Sequence, residues 1–241
     1  MRLQVVLAHA GIASRRRSAE IIKERRVRVN GKVVTEPGFN VDSAKDNIIC
    51  SGRIVTIRKR HVYMILNKPK GVVTTASDER GRRTVLDLLP KMDERIYPVG
   101  RLDKDTTGLL ILTDDGQLAN RLTHPRYEIE RVYVATIKGQ LKDEDRTKLM
   151  KGIYLNGRRT FPCNIHFLQK GIKKTIVKII LREGRKRQIR DMFEKAGYPV
   201  LQLERVAFGP LRLHGLKRGD YRPLDKRNMA ELKRSVGLAK G

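Results

Sequence analysis

Residues 100–116 read Gly-Arg-Leu-Asp-Lys-Asp-Thr-Thr-Gly-Leu-Leu-Ile-Leu-Thr-Asp-Asp-Gly, with aspartates at 103, 105, 114 and 115 around the apolar run 109–112. An apolar run of this kind bounded by turn residues predicts a buried strand. Asp114-Asp115-Gly116 then follows the strand and precedes a helix, which suits turn and N-cap chemistry. Asp103 and Asp105 stand on the loop that enters the strand, beside Arg101 and Lys104. There a carboxylate is expected to be partly desolvated yet held ionised by basic neighbours, which makes it a usable nucleophile or base.

Two metal readings of the same cluster fail. Asp103, Asp105, Thr107, Gly108 and Asp114 match part of the EF-hand spacing. However, the twelfth position lacks its glutamate, the ninth is the apolar Ile111, and the flanks read as coil and strand rather than two helices. A two-metal phosphoryl-transfer centre would gather histidines and further carboxylates, and none stand near in sequence. No metal is expected.

Outward from this stretch, strands are predicted over 62–67, 108–113, 131–139, 175–182 and 200–208. Helices are predicted over 85–89, 117–122, 144–151, 188–196 with Gly197 as its stop, and 226–235. Strands and helices without regular βαβ alternation predict an α+β domain on a mixed, mostly antiparallel sheet with flanking helices. It is expected to occupy 61–241.

A smaller unit is expected over 1–60. Its first helix runs over 3–10 and ends at Gly11, and Ser14 caps a second reaching about residue 25. The Asn30-Gly31 pair predicts a tight hairpin turn between 27–29 and 32–34. More strand is expected near 48–49 and 54–57, with the basic stretch 58–61 as linker. Arg15, Arg16 and Arg17 fall in the first turn of the second helix, where the macrodipole disfavours cations. Phosphate contact explains that placement, because a polyanion reverses the sign of the local field.

The 241 residues hold 53 Lys and Arg against 26 Asp and Glu, a formal charge of +27, which points to a polyanionic partner, nucleic acid first. A membrane surface would need a long amphipathic helix or a polybasic tail, and neither is evident. The N-terminal apolar segment is short and interrupted by Gln4 and His9, so it reads as a helix face rather than a signal peptide. A soluble, cytoplasmic protein is expected. Cys50 and Cys163 have no partners at disulfide or zinc spacing and read as reduced, partly buried thiols. With no Trp and 5% aromatics, the chain lacks a multi-base stacking platform, so recognition of a nucleic acid would rest on its phosphates and shape.

Two sets of motifs carry a family resemblance. Ser14-Arg15-Arg16, Ile22 and Val27 to Lys32 resemble the S4 RNA-binding domain. Asn67-Lys68-Pro69-Lys70-Gly71, then Gly100 to Leu110, then Glu130-Arg131-Val132-Tyr133, then Glu183-Gly184-Arg185-Lys186-Arg187-Gln188-Ile189-Arg190 resemble, in family order, the RsuA-type pseudouridine synthases of ribosomal RNA. The resemblance runs essentially end to end. It implies a redox-neutral isomerisation of uridine within RNA, in keeping with the lack of a dinucleotide fingerprint or P-loop, and therefore no cofactor.

By that resemblance Asp103 is the catalytic carboxylate, Arg190 the basic residue that pairs with it, and Tyr133 the ring that stacks on the target uracil. Arg101 enters the space left by the flipped base. RNA contacts are expected at Arg15, Arg16, Arg17, Lys32, Arg101, Arg185 and Arg187. Arginine at 190, within EGRxRxxR, looks more like the large-subunit RluB type, so 23S rRNA or a pre-ribosomal particle is the expected partner of a monomeric enzyme. The alternatives are 16S rRNA as substrate, or a non-catalytic RNA-binding ribosome-assembly factor.

Overall fold

The structure, a computed structural model, describes residues 1–56 and 61–238. The chain divides into two compact units: the described residues of 1–62 with 92–95 and 114–116, and the rest.

In the first unit, α1 (Leu3–His9) and α2 (Arg15–Lys23) precede β1 (Val27–Val29), β2 (Lys32–Val34), β3 (Ile48–Cys50) and β4 (Arg53–Ile54). The Ser14 hydroxyl accepts the Arg17 backbone N–H at 3.1 Å, so the predicted cap starts α2. Asn30 and Gly31 both have positive φ, 50° and 79°, as a primed hairpin turn requires. The strands pair antiparallel in the order β2-β1-β3-β4. Leu3, Val6, Leu7, Ile21, Ile22, Val27 and Ile48 form their core. The predicted strand over 54–57 ends at Ile54. Ile57 and the basic residues 58–60 of the expected linker lie outside the described residues.

The second unit is built on β5 (Tyr63–Lys68), β6 (Tyr97–Pro98), β7 (Thr107–Thr113), β8 (Arg131–Lys138), β9 (Tyr154–Leu155), β10 (Arg158–Arg159), β11 (Asn164–Gln169), β12 (Lys174–Leu181), β13 (Val200–Phe208), β14 (Leu211–Arg212) and β15 (Tyr221–Pro223). Its helices are α3 (Gly116–Thr123), α4 (Asp143–Met150), α5 (Gln188–Lys195) and α6 (Lys226–Arg234). The main sheet runs β11-β12-β8-β13-β7-β5-β15, with β14 on β13 and β6 on β7. Among these pairs only β13 with β7 is parallel, so the sheet is mixed and mostly antiparallel. Every residue of β7 is buried, as its apolar run predicts. Helix 85–89 is corrected to a single 3-10 turn, Leu86–Leu88, with the Asp87 carboxylate accepting the Thr84 N–H.

The crossing of β7 and β13 explains one residue of the opening stretch. Gly108 has φ 106°, and a Cβ there would lie 2.3 Å from the Arg205 carbonyl oxygen. Only glycine fits, so the loop before Gly108 is anchored where two parallel strands approach closely. Cores form around Ile137, Val177, Ile179, Met192 and Phe193, and around Ile65, Leu109, Ile111, Leu118 and Phe208. Both cysteines are buried and free, and burial pushes the Cys163 thiol up to about 11. Among the described residues no helix is long and apolar enough to cross a membrane.

Candidate active site

The loop 101–106 rests on the Asn67-Lys68-Pro69-Lys70-Gly71 segment at the end of β5. Lys68 is fully buried, and its ammonium donates to the carbonyls of Pro69 at 3.1 Å, Lys104 at 3.4 Å and Thr106 at 2.9 Å. Gly71 N–H donates to the same Lys104 carbonyl at 2.8 Å. The Thr74 hydroxyl donates to the Leu102 carbonyl at 2.7 Å and accepts the Leu102 N–H at 3.3 Å. Burial lowers the Lys68 ammonium to about 8, against the opposing pull of Asp105 and Asp103. The lysine is thus both the support of the loop and a positive charge beneath its two carboxylates. A local reading of the sequence assigns Lys68 no role, since its acceptors are backbone carbonyls up to 38 residues away.

Above the loop lies a cleft of 460 Å³ lined by Arg101, Asp103, Tyr133 on β8, the loop 183–187 after β12, and the first residues of α5. That volume is within the range of small-molecule sites and suits one extruded nucleoside. Asp103 is half-buried, and among the described residues no side-chain hydrogen bond or ion pair holds its carboxylate. Its backbone carbonyl accepts Thr106 N–H at 3.0 Å, which turns the loop.

The structure brings Arg101, Asp103, Tyr133, Arg185 and Arg187 to this cleft, but it places one expected partner elsewhere. Arg190 does not pair with Asp103. Its guanidinium is buried and donates to the Asp105 carboxylate at 3.1 Å, the Asp105 carbonyl at 3.2 Å and the Val200 carbonyl at 3.1 Å. Residues 103 and 105 lie close in sequence, yet Asp105 lines a different concavity, with Lys70, Glu204 and Arg218. From α5, Arg190 meets that aspartate.

Arg185 is not a free cation. It donates to the Glu183 carboxylate at 2.9 Å and to the carbonyls of Arg158 and Arg159, clamping the β9–β10 hairpin to the cleft rim. Glu183, itself buried, also accepts Phe161 N–H at 2.7 Å and Gln188 Nε2 at 2.6 Å. Arg187 is held loosely, 3.8 Å from Asp105 and 4.0 Å from Asp191. On the first unit, Arg17 is paired with Glu20 and Glu24 at 2.9 and 2.8 Å, so it serves a helix-face ion pair. Arg15, Arg16 and Lys32 are exposed and make no ion pair among the described residues.

A carboxylate without side-chain partners and a tyrosine thus line one cleft together with Arg101, Lys186 and Arg187. The family profile described as RNA pseudouridylate synthase matches residues 62–195, and that of the S4 domain matches 1–48. The chain is 47% identical over 234 residues to the ribosomal large subunit pseudouridine synthase B of Bacillus subtilis (strain 168), covering 96% of this chain and 95% of that one. It is 38% identical over 239 residues to an uncharacterized RNA pseudouridine synthase of Aquifex aeolicus (strain VF5), covering 99% and 96%. A solved structure described as a pseudouridylate synthase superposes with a TM-score of 0.70 at 29% identity, covering 96% of this chain and 99% of that one. The chain belongs to the RNA pseudouridylate synthase family.

Proposed function

We propose that this protein converts a uridine of large-subunit, 23S ribosomal RNA to pseudouridine, with Asp103 as the reacting carboxylate. The observation that carries the reading is the Asp103 carboxylate, without a side-chain partner in a cleft that Tyr133 also lines. The large-subunit assignment rests on the similarity to relatives such as the Bacillus subtilis enzyme.

A uracil stacked in helical RNA is out of reach, so the nucleotide must be extruded into the cleft. Arg101, exposed at the rim, stacks in the space it leaves, and Tyr133 packs against the uracil face. The N1–C1′ bond breaks, the base turns, and a C5–C1′ bond forms. The proton lost from C5 is balanced by one gained at N1, so neither electrons nor a group need be supplied from outside. Asp103 acts in this sequence as nucleophile or base. Tyr133 and Asp103 stand on separate elements, a strand and a loop tied to Lys68, so the pocket keeps its shape while the base rotates.

RNA is held chiefly through phosphates. Arg15, Arg16 and Lys32 supply free cations on the S4 unit, and Arg101, Lys186 and Arg187 supply cations around the cleft. The protein acts as a cytoplasmic monomer on ribosomal RNA or a pre-ribosomal particle.

Mapping of pseudouridines in ribosomal RNA, with and without the gene, tests the reading. One site in large-subunit rRNA should lose its modification and regain it with the wild-type gene. An unchanged map, or a loss confined to 16S rRNA, overturns it.

A further inference from the structure

An extruded nucleotide stays joined to both of its neighbours through phosphates, so the strand that enters the cleft must leave across its rim. On the side of β9 and β10 that rim continues into a second concavity of 280 Å³, lined by Leu155, Asn156, Arg158, Arg185, Lys186 and Asp191. Arg185 and Lys186 line the cleft as well, so the two hollows share a wall.

The hairpin on the far side of this hollow suits a polyanion. Residues 151–163 include Lys151, Arg158 and Arg159 and no Asp or Glu. Asn156 and Gly157 turn the chain with φ of 50° and 77°, as a primed turn requires. Leu155 and Arg158 are partners in register, so their side chains stand together on the face toward the concavity. Tyr154 and Arg159 pair on the other face, where Arg159 is spent on the carbonyls of Gly152 at 3.2 Å and Lys151 at 3.3 Å. Arg158 differs. It is exposed, and among the described residues its guanidinium makes no ion pair or hydrogen bond; the same holds for the ammonium of Lys186. Two uncommitted cations on one hollow repel each other until an anion arrives between them.

The hairpin is also held as a fixed wall. Arg185 donates to the carbonyls of Arg158 and Arg159, the Lys195 ammonium to the Tyr154 carbonyl at 2.9 Å, and Phe161 N–H to the Glu183 carboxylate at 2.7 Å. Cations set on such a wall need little ordering when a ligand binds.

We propose that this concavity is a subsite for a nucleotide adjoining the target uridine in the RNA chain, whose phosphate Arg158 and Lys186 hold. The inference rests on the reading of the neighbouring cleft as the place that takes the extruded uridine.

The test uses a fragment of large-subunit rRNA that carries the uridine found by modification mapping. It is made unmodified, and with the first and second phosphates on either side of that uridine replaced, one at a time, by a neutral methylphosphonate. Affinity, melting temperature and single-turnover rate at saturating RNA are measured for the wild type, Arg158→Ala and Lys186→Ala. On the unmodified fragment Arg158→Ala should weaken binding about fivefold, the scale of one exposed ion pair. It should also lower the slope of log affinity against log salt by about 0.7 to 0.9. Its melting temperature and saturating rate should match the wild type, because Arg158 holds the strand and not the reacting base. On one of the neutralised fragments the effects of Arg158→Ala and Lys186→Ala should both vanish, since the phosphate they share has lost its charge.

Wild-type affinity for Arg158→Ala would overturn the proposal. So would losses that persist on every neutralised fragment, which would place Arg158 on RNA remote from the target. Failure of the reading beneath it shows in the wild type instead: the unmodified fragment would bind and form no pseudouridine, and the subsite would fall with it.

Discussion

The two ends of β7 put the same residue type to opposite uses. Asp103 and Asp105 precede the strand, Asp114 and Asp115 follow it, and seven extended residues separate the pairs by about 23 Å. After the strand, the Asp114 carboxylate accepts the Val62 N–H at 2.8 Å and so serves the backbone. Before it, Asp105 is spent on guanidinium groups, and Asp103 is left without a side-chain partner in a cleft. Paired carboxylates hold a fold together; the one without a side-chain partner, on a loop supported by Lys68, is the one to which we assign the chemistry.

The largest test of this contrast removes the support. Lys68→Met leaves the Lys104 and Thr106 carbonyls without its ammonium and withdraws the positive charge beneath the carboxylates, so the single-turnover rate should fall at least about a hundredfold. The same lysine gives a pH dependence of known sign. Its ammonium is lowered to about 8, so it is charged below that pH and neutral above it. The wild-type rate should therefore decline as pH rises through about 8, and Lys68→Arg, which does not titrate there, should lack that limb. A rate independent of pH between 7 and 9 (about one unit either side of that value) would show that the charge does not matter.

A smaller effect separates clamping from contacting cations at the cleft rim. Arg185→Ala frees the β9–β10 hairpin and leaves Glu183 without one partner, and it should destabilise the protein by about 2 kcal/mol with the salt dependence of RNA binding unchanged. Lys186→Ala should do the reverse, leaving the melting temperature alone and reducing the slope of log affinity against log salt by about 0.7 to 0.9. Matching salt slopes for the two variants would mean that Arg185 also meets phosphate.

Much of this arrangement is legible in the sequence, for local reasons. The buried strand, the Ser14 cap and the Asn30-Gly31 turn depend on a few neighbouring residues, and all three form where predicted. β11 is not predicted, because its run Asn164–Gln169 is exposed at most positions and broken by a bulge near Leu168, as suits the edge of a sheet. β15 ends in Pro223, which argues against a strand except at an edge. The site divides in the same way. Asp103 and Tyr133 meet in one cleft, as their motifs suggest. The partner of Arg190 is not legible: sequence sets it on a helix, but which of two aspartates it reaches depends on how the loop turns. Arg185 sits in a basic run that resembles a phosphate contact, while its acceptors lie 26 and 27 residues upstream.

The most direct measurement compares Asp103→Asn with Asp114→Asn under single-turnover conditions, with RNA binding and melting temperature recorded for both and product read by pseudouridine-specific chemistry. Each change keeps the size of the side chain and removes one negative charge. Asp103→Asn should abolish product while RNA affinity and melting temperature hold; Asp114→Asn should turn over almost normally and lose about 1 kcal/mol of stability or less. Pseudouridine formed by Asp103→Asn at a rate near wild type would contradict the assignment of that carboxylate.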